Sequence, residues 1–289
     1  TGMKWMFIDN NNWPHYVVAN ADESETGTFK DREIMESNPY QFLEGVALCA
    51  YAIKANVAYV YLRGEFWQVA ARLDQHIAAL QQAGLLGDKL FGTDYSLRIF
   101  THLGAGAYIC GEETAMLESM EGKRGQPRLR PPFPPSFGLY GKPTVVNNVE
   151  TLTNVPLIVA RGADWYRSMG TEKSPGPKVF SLSGRVVRPG NYELPLGITF
   201  RELIYTHGGG IIDGRPVKAI MAAGASSSLI VATEQALDTP MDYESVPALG
   251  AQLGSASVII IDDTVSIPWL INKTIHFFKH ESCGKCTPC

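Results

Sequence analysis

The chain has 289 residues, 45% of them hydrophobic and 19% charged, with a formal net charge of −4. That balance describes a globular protein long enough for more than one domain, and an acidic chain without a basic stripe is not a nucleic-acid binder. No apolar run reaches the length of a bilayer span, so no direct membrane insertion is expected, and no signal peptide is visible. Cys49 and Cys110 stand alone in apolar company and read as reduced core or pocket-wall residues, while Cys283, Cys286 and Cys289 crowd the end of the chain. That is not a secreted disulfide framework, and it points to a reducing compartment. Both ends read as cut: Thr1 opens without a methionine, and Cys289 stops mid-motif.

Trp5 to Ile8 and Tyr16 to Ala19 are short apolar stretches separated by the turn-rich Asp9-Asn10-Asn11-Asn12-Trp13-Pro14. The acidic run Asn20-Ala21-Asp22-Glu23-Ser24-Glu25 follows at the end of a strand, where carboxylates suit a crevice and can bond sugar hydroxyls. A solvated helix-capping loop explains the same residues. Tyr40 to Ile53 carries apolar residues at helical spacing, Val57 to Leu62 reads as a buried strand, and Phe66 to Gly84 as an amphipathic helix. This alternation predicts a parallel α/β sheet.

Leu97 to His102 alternates like a half-buried strand and leads into Gly104-Ala-Gly-Ala-Tyr-Ile-Cys-Gly-Glu-Glu-Thr114, followed by a short helix around Ala115, Leu117 and Met120. Strand, glycine turn and helix turn backbone N–H groups toward a phosphate or a flat ligand. The spacing G-x-G-x4-G is neither the dinucleotide fingerprint nor a Walker loop. Glu112 and Glu113 would repel a pyrophosphate, so the loop suits hydroxyls and a ring system better; the glycines also suit a plain tight turn. Arg130 and Pro131-Pro132-Phe133-Pro134-Pro135 form a stiff loop, either a surface connection or a place where Phe133 stacks on a base and Arg130 meets a phosphate. Thr144 to Glu150 is a short strand ending in Asn147 and Asn148, amides that can pair with a heteroaromatic edge or cap the next helix.

From Lys178 a strand pair, a short helix over Thr199 to Tyr205 and later strands at Ala219 to Met221 and Val258 to Ile261 suggest a small α+β module resembling a β-grasp, without a titratable cluster. Pro268 to His280 reads as a helix leading into Cys283-x-x-Cys286-x-x-Cys289. Three thiolates at this spacing can wrap one face of an iron–sulfur cubane. Zinc is the main rival, although its sites pair one such motif with a distant second. Neither Cys49 nor Cys110 is an obvious fourth ligand.

Taken together, Thr1 to Trp5, Asn20 to Glu25, Gly27 to Arg32, Gly104 to Thr114, Arg128 to Pro134, Gly141 to Thr144, Asn147 to Thr151 and Glu281 to Cys289 resemble the NADH-binding, FMN-containing flavoprotein subunit of respiratory complex I. Diaphorase subunits of NAD-linked hydrogenases and formate dehydrogenases share the pattern and stand as the alternative; a non-catalytic docking module is the alternative from another class. The resemblance implies an α/β chain in three parts: a Rossmann-like FMN/NADH domain over 1–168, a ubiquitin-like β-grasp domain over 169–264, and the start of a helical [4Fe–4S] domain over 265–289. It places FMN on Lys4, Asn20, Asp22, Glu23, Tyr108, Gly111, Glu112, Val146, Asn147 and Asn148. It places NADH on Phe7, Glu25, Glu113, Arg130 and Phe133, with Arg130 where lysine is expected. It gives Cys283, Cys286 and Cys289 as cluster ligands and implies no general acid or base. The implied activity is NADH oxidation by hydride transfer to FMN, with electrons leaving singly through the cluster. The implied partners are a small [2Fe–2S] subunit and a larger iron–sulfur subunit, and the implied location is the inner face of the plasma membrane, or the matrix side. The family's Gly-Arg-Gly-Gly-Ala-Gly-Phe loop and fourth cysteine are not in the sequence.

Overall fold

The computed structural model describes residues 2–287, so Thr1, Pro288 and the expected ligand Cys289 lie outside the described residues. Contacts divide the chain into two compact units. The first contains 2–24, Asp31–Leu157 and 281–287, and the second contains Glu25–Lys30 and Ile158–His280.

The first unit begins with helix α1 (Gly2–Met6), then strand β1 (Tyr16–Ala21), helices α2 (Lys30–Ser37) and α3 (Pro39–Ala52), strand β2 (Val57–Leu62) and helix α4 (Trp67–Gln82). Strand β3 (Arg98–Leu103), helix α5 (Glu113–Met120), strand β4 (Thr144–Asn148) and helix α6 (Val149–Arg161) up to Leu157 complete it. The sheet is wholly parallel in the order β3-β2-β1-β4, as the helix–strand alternation predicts. Period-two alternation sorts the side chains. Val17, Ala19, Val60, Ile99 and Val145 pack with α3 and α4 on one face, and Val18, Tyr61 and Val146 pack with α5 residues on the other. Both faces are therefore buried, the condition under which parallel sheets form. Gly45 lets α3 approach α6 closely: a Cβ there would stand 1.9 Å from the Leu152 carbonyl oxygen.

The strand order reverses at β1, since β2 and β3 lie on one side of it and β4 on the other. The carboxyl ends of β1 and β4 flank this switch point, where a crevice opens by construction. Asn20 and Asn148 are register partners there.

The second unit holds helix α7 (Ala163–Arg167), strands β5 (Pro177–Gly184), β6 (Gly190–Pro195), β7 (Val217–Ala225) and β8 (Leu229–Val231), helix α8 (Glu234–Leu237), strand β9 (Ser257–Asp262) and helix α9 (Ile267–Glu281) up to His280. Its mixed sheet runs β6-β5-β9-β7-β8, with β5 and β9 parallel and the other pairs antiparallel, a β-grasp arrangement in keeping with the α+β module expected from the strand pair and the later strands. The helix between β6 and β7 winds wider than an α-helix over Glu202–His207. The module does carry a charged cluster that its sequence hid: Arg201 pairs with Glu234 and Asp238, residues more than thirty positions away.

Candidate functional site

A cavity of about 540 Å³ opens at the carboxyl ends of β1 and β4. Lys4, Asn20, Gly111, Glu112, Glu113, Arg130, Val146, Asn147, Asn148 and Thr151 line it. The fold thus brings together seven of the residues expected around FMN and two expected around NADH, drawn from α1, β1, the loop after β3, the proline loop and β4.

Each lining side chain is set by a local rule. Asn20 donates to the Gly111 carbonyl at 2.9 Å, tying the end of β1 to the glycine turn, and its Oδ1 accepts from the Asp22 N–H. Asn148 donates to Asp31 at 2.7 Å while its Oδ1 accepts from the Glu150 N–H, so the capping role open to it is realised at the start of α6. Asn147 Oδ1 accepts from the Trp5 indole at 2.9 Å. Glu112 caps α5, accepting from Thr114 N–H at 3.0 Å, Ala115 N–H at 2.9 Å and the Thr114 hydroxyl. Its other oxygen is buried without a hydrogen-bond donor, 3.6 Å from an Arg130 nitrogen. Glu113 bridges two cations, Lys4 at 3.0 Å and Arg130 at 3.2 Å, and Lys4 also donates to the Val146 carbonyl.

Asp22, Glu23 and Tyr108 do not line the cavity. Both Glu23 oxygens cap α2, accepting from the Asp31 and Arg32 N–H groups at 2.7 and 3.1 Å. Tyr108 opens the tight turn that ends at Gly111. Asp22 lies just behind that turn: one oxygen accepts from Ser24, and the other is buried without a donor. A Cβ on Gly111 would stand 3.6 Å from the unpartnered Asp22 oxygen. Burial pushes the Asp22 carboxyl up to about 7, against the lowering effects of the Ser24 hydrogen bond and Arg63. Phe7 and Phe133 point outward, both more than half exposed, and neither lines the cavity. Glu25 belongs to the second unit, where it accepts from the Thr26 and Ala225 N–H groups and from the Ser226 hydroxyl. Thr151 and Trp5 are additions. Thr151 follows Asn148 by three residues on the first turn of α6, a spacing that sequence reading could have used.

Two buried acceptors lack donors: Glu112 Oε1, on a residue of the cavity lining, and Asp22 Oδ2, behind Gly111. Such acceptors call for hydroxyl donors, while the amides of β1 and β4 supply partners for a heteroaromatic edge and Lys4 and Arg130 supply cations. This donor set fits a flavin mononucleotide, with its polyol chain and ring, and does not fit a bare phosphate seated on Glu112. Among the last residues of the unit, Cys283 is partly buried and Cys286 exposed, both with free thiols. Thiolates at this spacing fit iron. Among the described residues no three ligating side chains converge.

Family models match along the length of the chain. The Nuo51 FMN-binding domain matches residues 1–157, the SLBB domain 179–225, and the NADH-ubiquinone oxidoreductase-F iron-sulfur binding region 269–289. The chain is 54% identical to an NADH-quinone oxidoreductase subunit of Rhizobium meliloti, covering all of this chain and 68% of that protein. It is 45% identical to the corresponding NADH-quinone oxidoreductase subunit of Escherichia coli, again over the whole chain and 65% of that protein. A chain of an NAD+-reducing [NiFe]-hydrogenase in its H2-reduced state superposes with a TM-score of 0.88 at 38% identity, covering all of this chain and 48% of the other. The chain thus spans about two thirds of the length of the curated relatives it matches.

Proposed function

We propose that this chain, which belongs to the NADH-quinone oxidoreductase subunits built on the Nuo51 FMN-binding domain, is an NADH dehydrogenase module, oxidising NADH on FMN and passing electrons singly to a [4Fe–4S] cluster. The observation that carries the reading is the cavity at the β1–β4 switch point, where the donorless buried carboxylate oxygen of Glu112 joins three amides and two cations on one lining. When bound, FMN supplies the acceptor for a hydride from nicotinamide C4, leaving NAD+, and the cluster supplies a one-electron acceptor so that the pair leaves in two steps.

The chain's own residues do the rest. Asn20, Asn147, Asn148, Gly111 and Val146 shape the ring and polyol subsite, with Asp22, Glu23 and Tyr108 supporting its walls. Lys4 holds the cation nearest β4. Glu113 and Arg130 face the dinucleotide, with Phe7, Phe133 and Glu25 as further contacts, and Cys283, Cys286 and Cys289 carry the cluster. No side chain is assigned a general acid or base role. Glu112 and Glu113 favour ribose hydroxyls and oppose a 2′-phosphate, so NADH is preferred over NADPH. The functional division follows 1–168, 169–264 and 265–289.

The relatives are named as subunits of NADH-quinone oxidoreductase, so partner subunits belong to the reading; a small [2Fe–2S] subunit and a larger iron–sulfur subunit are the proposed ones. No helix among the described residues is long and apolar enough to cross a membrane. The proposed location is peripheral, on the inner face of the membrane that carries the complex. The likeness to the hydrogenase chain favours one second reading, the diaphorase of an NAD-linked hydrogenase, and the copurifying partner separates the two.

The test is an anaerobic visible spectrum of the FMN-reconstituted protein before and after NADH. Bound flavin that bleaches supports the dehydrogenase. A free-flavin spectrum without bleaching, repeated on a chain of the relatives' full length, overturns it.

A further inference from the structure

Residues 281–285 contact the turn that walls the cavity and the loop that follows α5. Glu281 accepts the Tyr108 N–H at 3.1 Å, Gln126 donates its side-chain amide to the Cys283 carbonyl at 2.8 Å, and the Lys285 ammonium donates to the Pro127 carbonyl. The loop carrying Gln126 is itself fixed. Arg128 donates its backbone N–H to Thr114, and its guanidinium reaches Glu118, Glu121 and the Gly138 carbonyl. Cys110 packs so closely on Gly125 that a Cβ there would stand 2.5 Å from its sulfur.

These contacts stack in one order. Gly111 lines the cavity, Cys110 precedes it and touches Gly125, and the next residue, Gln126, holds the backbone of Cys283. A single layer of residues therefore separates the cavity wall from the cysteine turn. Among the described residues of the cysteine motif only the exposed Lys285 side chain reaches back to that loop, while Gly284 takes a left-handed conformation and Cys286 is exposed. The partly buried contacts of Gln126 and Glu281 therefore carry most of the register.

We propose that Gln126 and Glu281 are positioning residues that hold the cysteine turn in register with the Tyr108–Gly111 turn, and so set the separation across which electrons leave the cavity. The inference rests on the reading of the cavity and the cysteines given under Proposed function. The residue types suit the task. Gln126 must donate to a carbonyl, which an ionised glutamate cannot do, and a carboxylate accepting a backbone N–H at position 281 gives the stronger charge-assisted bond. Neither residue has to touch NADH or FMN to act.

The test uses the full-length protein carrying FMN and iron, with Gln126→Ala, Glu281→Ala and Glu281→Gln. Flavin bleaching by NADH is followed by stopped flow, iron–sulfur reduction by freeze-quench EPR, and amide exchange of the Tyr108 segment by mass spectrometry. Bleaching is expected to stay within about twofold of the parent, whereas iron–sulfur reduction slows by about tenfold in either alanine variant, the factor set by losing one charge-assisted or carbonyl hydrogen bond. Exchange at Tyr108 is expected to quicken by about tenfold in Glu281→Ala, with Glu281→Gln restoring both readouts because its carbonyl still accepts. Where an alanine variant loses iron, exchange alone decides: lost protection supports the proposal and retained protection overturns it. Parental reduction rates in both alanine variants at full iron content overturn the positioning role. A parent whose bound flavin does not bleach overturns the functional reading instead.

Discussion

Asp22→Asn isolates the electrostatic strain behind the glycine turn. The carboxyl is raised from its ordinary 3.8 to about 7 because burial penalises its charge more than Ser24 and Arg63 compensate. A group whose folded pKa lies above its unfolded value favours the fold while protonated. Its contribution is fully present below 3.8 and is lost as pH rises through about 7. At full titration the gap corresponds to about 4 kcal/mol, and between pH 5 and pH 8 roughly 2–3 kcal/mol of it is lost. Asparagine mimics the neutral acid: its oxygen keeps the Ser24 bond, and its NH2 group takes the place of the donorless oxygen. The variant-minus-parent stability, from urea midpoints at pH 5 and pH 8 on the protein free of flavin, is expected to rise by about that amount. A difference that stays flat across this range refutes the reasoning, because it would mean that Asp22 ionises in the folded protein as it does in the unfolded one.

Glu112→Ala removes the α5 cap and is expected to destabilise the unit by about 1–2 kcal/mol, whereas Glu112→Gln, still an acceptor, loses far less; chemical denaturation separates them. Gly45→Ala sets two effects against each other. Helix propensity favours alanine by about 1 kcal/mol, but the overlap with the Leu152 carbonyl wins, and a net loss of about 2 kcal/mol should appear as a lower melting temperature. Glu113→Gln leaves Lys4 and Arg130 without their shared carboxylate, so the preference for NADH over NADPH is expected to fall by roughly fivefold in steady-state kcat/KM, in keeping with the modest strength of partly exposed ion pairs.

The first unit was legible because its signals are local. Val57 to Leu62 is a buried run bounded by turn residues, and it forms β2 without adjustment. Asn147 and Asn148 end a strand whose apolar residues fix its register, so the amides arrive at the switch point with it. The acidic run was legible as a feature but not in its division of labour. Glu23 caps a helix whose first N–H groups lie eight and nine residues ahead, and Asp22 is buried by a turn nearly ninety positions away. Tyr108 and Glu281 meet across 173 residues, and no periodicity carries such a pairing. The proline cage around Phe133 marks a stiff loop but not how deeply its ring is buried, and the fold leaves it more than half exposed.

One pattern recurs on and just behind the cavity wall: a polar side chain commits one atom to the scaffold and keeps another outside that bond. Glu112 caps α5 with Oε2 and leaves Oε1 without a donor, and Asp22 holds Ser24 with one oxygen and leaves the other bare. Lys4 divides its donors between Glu113 and the Val146 carbonyl. Such sharing makes the site rigid, since each of these side chains is already immobilised, and rigidity lowers the entropy lost when a ligand binds. It also means that an alanine at these positions removes fold and function together. Only substitutions that keep the scaffold bond while altering the free atom, such as Glu112→Gln or Asp22→Asn, can separate affinity for the flavin from stability of the sheet edge that holds it.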